Sequence, residues 1–251
     1  MGATFSGRPS AAGPRYVFSA AVTPTWVVGV AYQFNNGGKA TSVIEIANEN
    51  GLVVELRMDA NNHLVITRNG AGNVLATGST VLLPNTYYYL EFKVTVSANP
   101  GAHTCQARLG GVVECEVPAG TTTDPRSEGY ANRVSLRYDQ FQMINSYDDF
   151  YVCDGTGTAN NDFLGDSRVE VLLPNADGHY AGDFAATGAP SRWQAVAETT
   201  EDKDTSYVAA NAVGKTGSFT FPPLTSTPQS VFGLQLINIA RKDDAGGRAL
   251  A

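Results

Sequence analysis

One short stretch restricts the fold of this chain more than any other. Residues 86–97, TYYYLEFKVTVS, alternate between two kinds of side chain. Large apolar side chains stand at every second position, namely Tyr88, Leu90, Phe92, Val94 and Val96. The positions between them hold Tyr87, Tyr89, Glu91, Lys93 and Thr95. Because successive side chains of a strand point to opposite faces, this pattern predicts a long antiparallel strand with one face in a core and the other toward solvent.

Shorter runs of apolar and β-branched residues fill much of the chain before residue 154, and Asn- and Gly-rich turns separate them. Charged residues make up only 16% of the chain, whereas Gly and aromatic residues are plentiful, which favours strands over helices. The sequence therefore predicts an all-β protein in which two antiparallel sheets pack face to face. The further expected strands of this part are residues 26–34, 42–47, 52–58, 63–67, 103–109, 112–117, 132–138 and 147–153.

The dense pattern of strands ends at Cys153, where a polar run, DGTGTANNDFLGDS, begins. We therefore expect a first domain at residues 1–153, a linker at 154–167 and a second, smaller β-rich domain at 168–251. Residues 1–15 are expected to form an arm. Expected strands of the second domain are residues 168–173, 206–209, 218–221 and 230–240, with one more begun at 248–251. An unfinished strand there would indicate either pairing with another subunit or a truncated chain.

Residues 147–180, YDDFYVCDGTGTANNDFLGDSRVEVLLPNADGHY, resemble a family of tailed-phage and prophage virion proteins. In that family a concanavalin A-like (LamG-like) jelly roll is followed by a second β-region. The strand at residues 86–97 is similar to the W/Y-Y-x-L-E-x-K strand of LamG-like jelly rolls. The resemblance implies a structural or accessory protein of the virion, attached to tail or capsid and made in the host bacterial cytoplasm. Its implied partners are other virion proteins, in many copies or as a homo-oligomer, and a host-surface glycan.

Charge and hydropathy exclude other classes. The chain has 17 basic and 24 acidic residues, a net charge of −7, and no basic cluster. Sequence-independent binding to nucleic acid needs a basic surface that faces the phosphates, so we expect no nucleic-acid partner. No apolar run is long enough to cross a bilayer, so we expect no membrane span. The first residues also lack the apolar core of a secretory signal.

Three cysteines, Cys105, Cys115 and Cys153, cannot all pair within one chain. A two-residue turn at Gly110 and Gly111 would place Cys105 and Cys115 on opposite faces of a hairpin. A three-residue turn would place them on one face with Cys105 opposite Val117, but diagonally and too far apart for a disulfide. We expect three reduced thiols.

No catalytic pattern stands out in the sequence. The strand motif Glu-x-Asp-x-x-Glu, which often supplies the carboxylates of glycoside hydrolases on this fold, is missing. Asp148 and Asp149 are adjacent and so point to opposite faces. Histidines lack the spacing of a zinc site, and no nucleophile motif occurs. We therefore expect no enzymatic activity and no cofactor. The alternative is a lectin-like carbohydrate-binding module or a polysaccharide-degrading enzyme on the same fold.

Two sets of residues remain as ligand candidates. Oxygen donors recur at alternate positions in the polar run, as in a calcium loop, at Asp154, Thr156, Thr158, Asn160 and Asp162. Ala159 replaces the glycine that such a loop needs, and Gly165 replaces the bidentate glutamate, which favours a hydrogen-bonded linker. Tyr87 and Tyr89 lie on the polar face of their strand. They could stack on a sugar, anchor a protein interface or be covered by another part of the chain.

Overall fold

The computed structural model describes residues 15–68, 72–120, 129–137, 144–200 and 202–240. It divides into two compact units, Met1–Val169 and Glu170–Ala251. The expected arm, apart from Arg15, and the expected strand at residues 248–251 lie outside the described part. The unit boundary falls after Val169, so the segment expected as a linker belongs to the first unit.

The first unit is an all-β jelly-roll sandwich of two antiparallel sheets, as the alternation predicts. One sheet has six strands in the order β1-β10-β3-β4-β5-β6, and the other has five in the order β11-β2-β7-β8-β9. The strands are β1 (Arg15–Thr23), β2 (Thr25–Phe34), β3 (Thr41–Asn48), β4 (Gly51–Met58), β5 (Leu64–Thr67), β6 (Val74–Thr77), β7 (Tyr88–Thr95), β8 (Thr104–Leu109), β9 (Val112–Val117), β10 (Ala131–Arg137) and β11 (Asn145–Cys153).

Apolar side chains from both sheets form one core. Strand β2 supplies the alternate residues Trp26, Val28, Val30, Tyr32 and Phe34, all at most 1% exposed. Two polar atoms that β2 carries into this core have hydrogen-bond partners, as burial requires. The Trp26 indole donates to the carbonyl of Ala131 at 3.2 Å, and the Tyr32 hydroxyl donates to Asn145 Oδ1 at 3.0 Å.

The hairpin of β8 and β9 combines the two turn geometries that the sequence leaves open. Gly110 and Gly111 both have positive φ, 56° and 83°, which a tight two-residue turn requires. A bulge then shifts the register, so that Cys105 lies opposite Val117, as the three-residue turn predicts, and Ala107 lies opposite Cys115. Both thiols therefore face the core, and all three cysteines are free and buried.

Three expectations about the elements need correction. Strands β1 and β6 were not expected, because β1 follows an irregular Gly- and Pro-containing stretch and β6 has only four residues. The polar face of β7 is not open to solvent, since Tyr89 is 6% and Glu91 is 0% exposed. Residues 168–173 and 230–240 form neither strand nor helix, because no neighbouring strand of the described part completes their backbone hydrogen bonds.

The second unit contains only very short strand pairs among its described residues. Strand β12 (Ala176–Asp177) pairs with β15 (Phe219–Thr220), and β13 (Ala185–Thr187) pairs with β14 (Tyr207–Ala209). Of its described side chains only Arg192 and Ala195 are buried. This unit therefore has almost no apolar core within the described part of the chain.

Replacing Phe92 tests the core directly. Phe92 lies in β7 and is 0% exposed, so Phe92→Ala should lower the free energy of unfolding by about 3–5 kcal/mol, through lost burial and the cavity left behind. Val112→Ala is the control, because Val112 is 71% exposed and its truncation should change stability by less than about 0.5 kcal/mol. Urea unfolding followed by tryptophan fluorescence measures both, and equal effects would contradict the assigned core.

Candidate functional site

The outer face of the five-stranded sheet carries a row of four residues across four strands. The strand registers place Tyr151 of β11 opposite Gly29 of β2, Gly29 opposite Glu91 of β7, and Glu91 opposite Arg108 of β8. Gly29 has no side chain, and a Cβ atom added there would lie 2.0 Å from Cε1 of Tyr151. The ring of Tyr151 therefore occupies the space above β2, and its hydroxyl reaches Glu91 on the next strand.

Tyr151 and Glu91 form a close pair. The Tyr151 hydroxyl donates to Glu91 Oε1 at 2.6 Å, and the same oxygen accepts from the backbone N–H of Gly165 at 2.8 Å. Glu91 Oε2 is buried and has no hydrogen-bond partner among the described residues. An unsatisfied buried acceptor costs about 1–3 kcal/mol, and more when it is charged. Such an atom in a folded protein calls for a donor, either a water or a ligand.

A segment of the chain, residues 154–169, covers this row and is here called the covering segment. It is tied down at both ends, because Thr23 Oγ1 donates to the Asp154 carbonyl at 2.9 Å and the Val169 N–H donates to Asp149 Oδ1 at 2.8 Å. In its middle, the N–H of Leu164 donates to the Tyr151 hydroxyl at 3.0 Å. The covering segment explains why the outer face of β7 is buried rather than solvated.

Two cationic side chains lie beside the pair and contact the covering segment. Lys93 Nζ is 3.0 Å from Asp162 Oδ1. The guanidinium carbon of Arg108 is 3.8 Å from the centre of the Phe163 ring, a stacked cation–π contact. Burial raises the pKa of Asp162, but the hydrogen bonds from Lys93 and from the Phe163 N–H, together with the charges of Lys93 and Arg108, outweigh it. The pKa of Asp162 is therefore lowered overall. Both cations are thus held by an acidic side chain and an aromatic ring of the chain itself.

Burial also sets the protonation of the two tyrosines at this site. The pKa of Tyr151 is raised well above its usual value, first by burial and then by its hydrogen bond to Glu91. The pKa of Tyr89 is raised to about 12, also chiefly by burial, and its hydroxyl donates to the Asp149 carbonyl at 3.3 Å. Both phenols are therefore neutral at physiological pH, and each is a proton donor.

The arrangement is suited to proton transfer. Glu91 Oε2 has free lone pairs and can accept a proton, while Tyr151 can donate one. The 2.6 Å hydrogen bond to Oε1 holds the two side chains side by side. Sequence motifs do not reveal this site, because its members are far apart in the chain.

The ligand candidates predicted from the sequence differ in exposure and in hydrogen bonding. Tyr87 is 53% exposed just before β7, whereas Tyr89 is 6% exposed beneath other parts of the first unit. Of the five candidate calcium ligands, Asp154 accepts from Thr156 through both N–H and hydroxyl, which lowers the pKa of Asp154, and Asp162 is paired with Lys93. Thr158 and Asn160 are exposed.

The described part of the chain contains no group of three or more His, Cys, Asp or Glu side chains that could hold a metal ion. None of its helices has the length and apolar character needed to cross a bilayer.

Comparison with known proteins identifies similar folds. No protein-family description matches the sequence, and no curated protein matches it. Among solved structures, the chain is similar to an alginate lyase of polysaccharide lyase family 7 (14% identity, 54% of this chain and 69% of that chain, TM-score 0.32). It is also similar to an endo-β-1,4-glucuronan lyase from the fungus Trichoderma reesei (12% identity, 59% of this chain and 78% of that chain, TM-score 0.39). A third similar structure is a tetrameric galectin from the sponge Cinachyrella (9% identity, 55% of this chain and 99% of that chain, TM-score 0.39).

These neighbours correct one expectation. The prediction that the chain is not an enzyme is contradicted, because polysaccharide lyases are among the solved structures that it resembles. That prediction rested on a missing pair of hydrolase carboxylates, which an elimination reaction does not require. The three named structures include no virion protein. Their identities and TM-scores are too low to transfer a site or a substrate.

The raised pKa of Tyr89 predicts a pH dependence. An unfolded tyrosine ionises near pH 10, whereas folded Tyr89 remains neutral until about pH 12. Its contribution to stability is therefore complete below pH 10 and is lost as the pH rises from about 10 to 12. In urea unfolding at several pH values, Tyr89→Phe should lose stability less steeply than the unmodified protein over that range.

Tyr87→Phe is the matched control, because Tyr87 is more than half exposed two residues earlier. Its stability should fall with pH as in the unmodified protein. Equal slopes for the two variants would contradict the burial of the Tyr89 hydroxyl.

Proposed function

We propose that the first unit acts on a polysaccharide at the outer face of its five-stranded sheet, with Glu91 and Tyr151 as the acid–base pair of an elimination reaction. The observation that carries the proposal is the buried Glu91 carboxylate, which is bonded to Tyr151 through one oxygen and has no donor on the other among the described residues. Buried acid and base side chains held together by a hydrogen bond are typical of catalytic sites.

The elimination requires one base and one acid, and Glu91 and Tyr151 supply them. Glu91 Oε2 takes the proton next to the carboxyl group of a sugar acid, and the electron pair of that C–H bond forms the new double bond. The bond to the neighbouring glycosidic oxygen breaks, and this oxygen takes the Tyr151 proton. Glu91 then releases the Oε2 proton to solvent and the Tyr151 oxygen takes a proton from solvent, which restores both groups. The reaction needs a carboxylated sugar, because only there is the C–H bond acidic enough.

The test uses the full chain with alginate, glucuronan and, as a neutral polymer, dextran. We expect binding to the polyuronates by affinity electrophoresis and the appearance of unsaturated sugar ends by ultraviolet absorbance. Glu91→Gln and Tyr151→Phe should each lower the elimination rate by about 10²-fold or more, the usual contribution of a positioned acid or base.

The control is Glu116→Gln, because Glu116 is an exposed carboxylate on β9 of the same sheet and contacts Gln106 instead. Its activity should match that of the unmodified chain. Failure of the unmodified chain to bind or cleave any of these polyuronates would contradict the proposed function. Equal activity in all variants would remove Glu91 and Tyr151 from it.

A different observation favours a second candidate function, self-assembly through the second unit. Residues 231–240, VFGLQLINIA, form neither strand nor helix, and their apolar side chains are exposed: Leu234 is 95% and Ile237 is 80% exposed. Exposed apolar surface on this scale marks an interaction site. Since the described residues of this unit bury almost no apolar side chain, we propose that copies of this chain complete one another here.

Light scattering coupled to size exclusion measures the mass of the full chain. We expect an oligomer that Leu234→Glu and Ile237→Glu dissociate, because each places a charge in the buried contact. Val112→Glu is the control, since Val112 is equally apolar and 71% exposed in the first unit. A monomer at micromolar concentration would contradict self-assembly.

A further inference from the structure

We propose that Asp162 and Phe163 of the covering segment occupy the binding subsite for one uronic acid residue, so that the chain blocks its own site until a polyuronate displaces them. This inference rests on the proposed function, and it adds the residues that recognise the sugar and a way in which access is controlled. Three contacts made by the covering segment carry it.

The first contact is that of Asp162 with Lys93. The Asp162 carboxylate lies 3.0 Å from Lys93 Nζ, where the carboxylate of a sugar acid would make the same charge-assisted hydrogen bond. The side chains of Asp162 and Lys93 are 64% and 32% exposed, and ion pairs this exposed contribute at most about 1 kcal/mol. A carboxylate brought by a ligand can therefore replace Asp162 at small cost.

The second contact is the stacking of Phe163 on Arg108. The ring centre lies 3.8 Å from the guanidinium carbon of Arg108 and 5.8 Å from Lys93 Nζ, so one ring covers both cations. Arginine binds a carboxylate through two parallel N–H groups, which a phenyl ring cannot accept in that way. Arg108 is thus held on a ring although its preferred partner is an anion.

The third contact is with Glu91, where only one of the two carboxylate oxygens has a hydrogen-bond donor. The covering segment donates the Gly165 N–H to Oε1, but Oε2 has no donor among the described residues. A sugar hydroxyl would supply that missing donor. A uronic acid residue offers both a carboxylate for Lys93 and Arg108 and a hydroxyl for Glu91, whereas a neutral sugar lacks the carboxylate.

The experiment measures binding of alginate and glucuronan oligosaccharides to the full chain by isothermal titration calorimetry. Asp162→Asn and Phe163→Ala should each bind more tightly than the unmodified chain, by up to about fivefold, because each weakens an internal contact worth about 1 kcal/mol. The control is Glu45→Gln, which removes an ion pair of the same 3.0 Å length, with Arg137, from the other sheet. Its affinity should be unchanged.

Hydrogen exchange of the unmodified chain provides a second measurement that needs no variant. The N–H groups of Leu164 and Gly165, which donate to Tyr151 and Glu91, should lose protection when the oligosaccharide binds. Measurable binding with unchanged affinity in both variants and unchanged protection would overturn this inference and leave the proposed function standing. Binding by neither the unmodified chain nor the variants would overturn both.

Discussion

The hydrogen bond between Tyr151 and Glu91 is the interaction on which the outer face of the first unit depends. A carboxylate removed from water needs partners, and Glu91 obtains them from a tyrosine two strands away and from the Gly165 backbone. The tyrosine reaches it only because Gly29 leaves space above the strand between them. The Tyr151 hydroxyl in turn accepts from Leu164, which holds the middle of the covering segment on the sheet. One buried acid therefore organises three strands and the segment above them.

The two units differ in what stabilises them. The first has a continuous apolar core between two sheets, so a site on its outer face rests on a rigid support. The second has short strand pairs and a long exposed apolar stretch among its described residues. A folded unit of the size of the second one normally buries much more apolar surface. These differences favour chemistry and ligand binding for the first unit and association for the second, and the two proposals are physically independent.

Local sequence patterns predict most of the sandwich, because the periodicity of a strand depends only on consecutive residues. The alternation in residues 86–97 and the Asn- and Gly-rich turns predict nine of the strands described in the first unit. The same reasoning placed strands at residues 168–173 and 230–240, where none forms. Apolar composition indicates that a segment is able to join a sheet, but a strand also needs a neighbour for its backbone groups, and a sequence does not specify that neighbour locally.

The sequence by itself determined the all-β class, the strand-forming segments and the facing of their side chains, because these depend on residue type and a period of two. Only the tertiary structure decided that the polar face of β7 is buried, since the cover comes from residues more than sixty positions later. The tertiary structure also brings together Glu91 and Lys93 of β7, Arg108 of β8 and Tyr151 of β11. In the sheet, β8 is next to β7, and β11 is separated from β7 only by β2. Sheet order and register are properties of long-range pairing, and that pairing creates the candidate site.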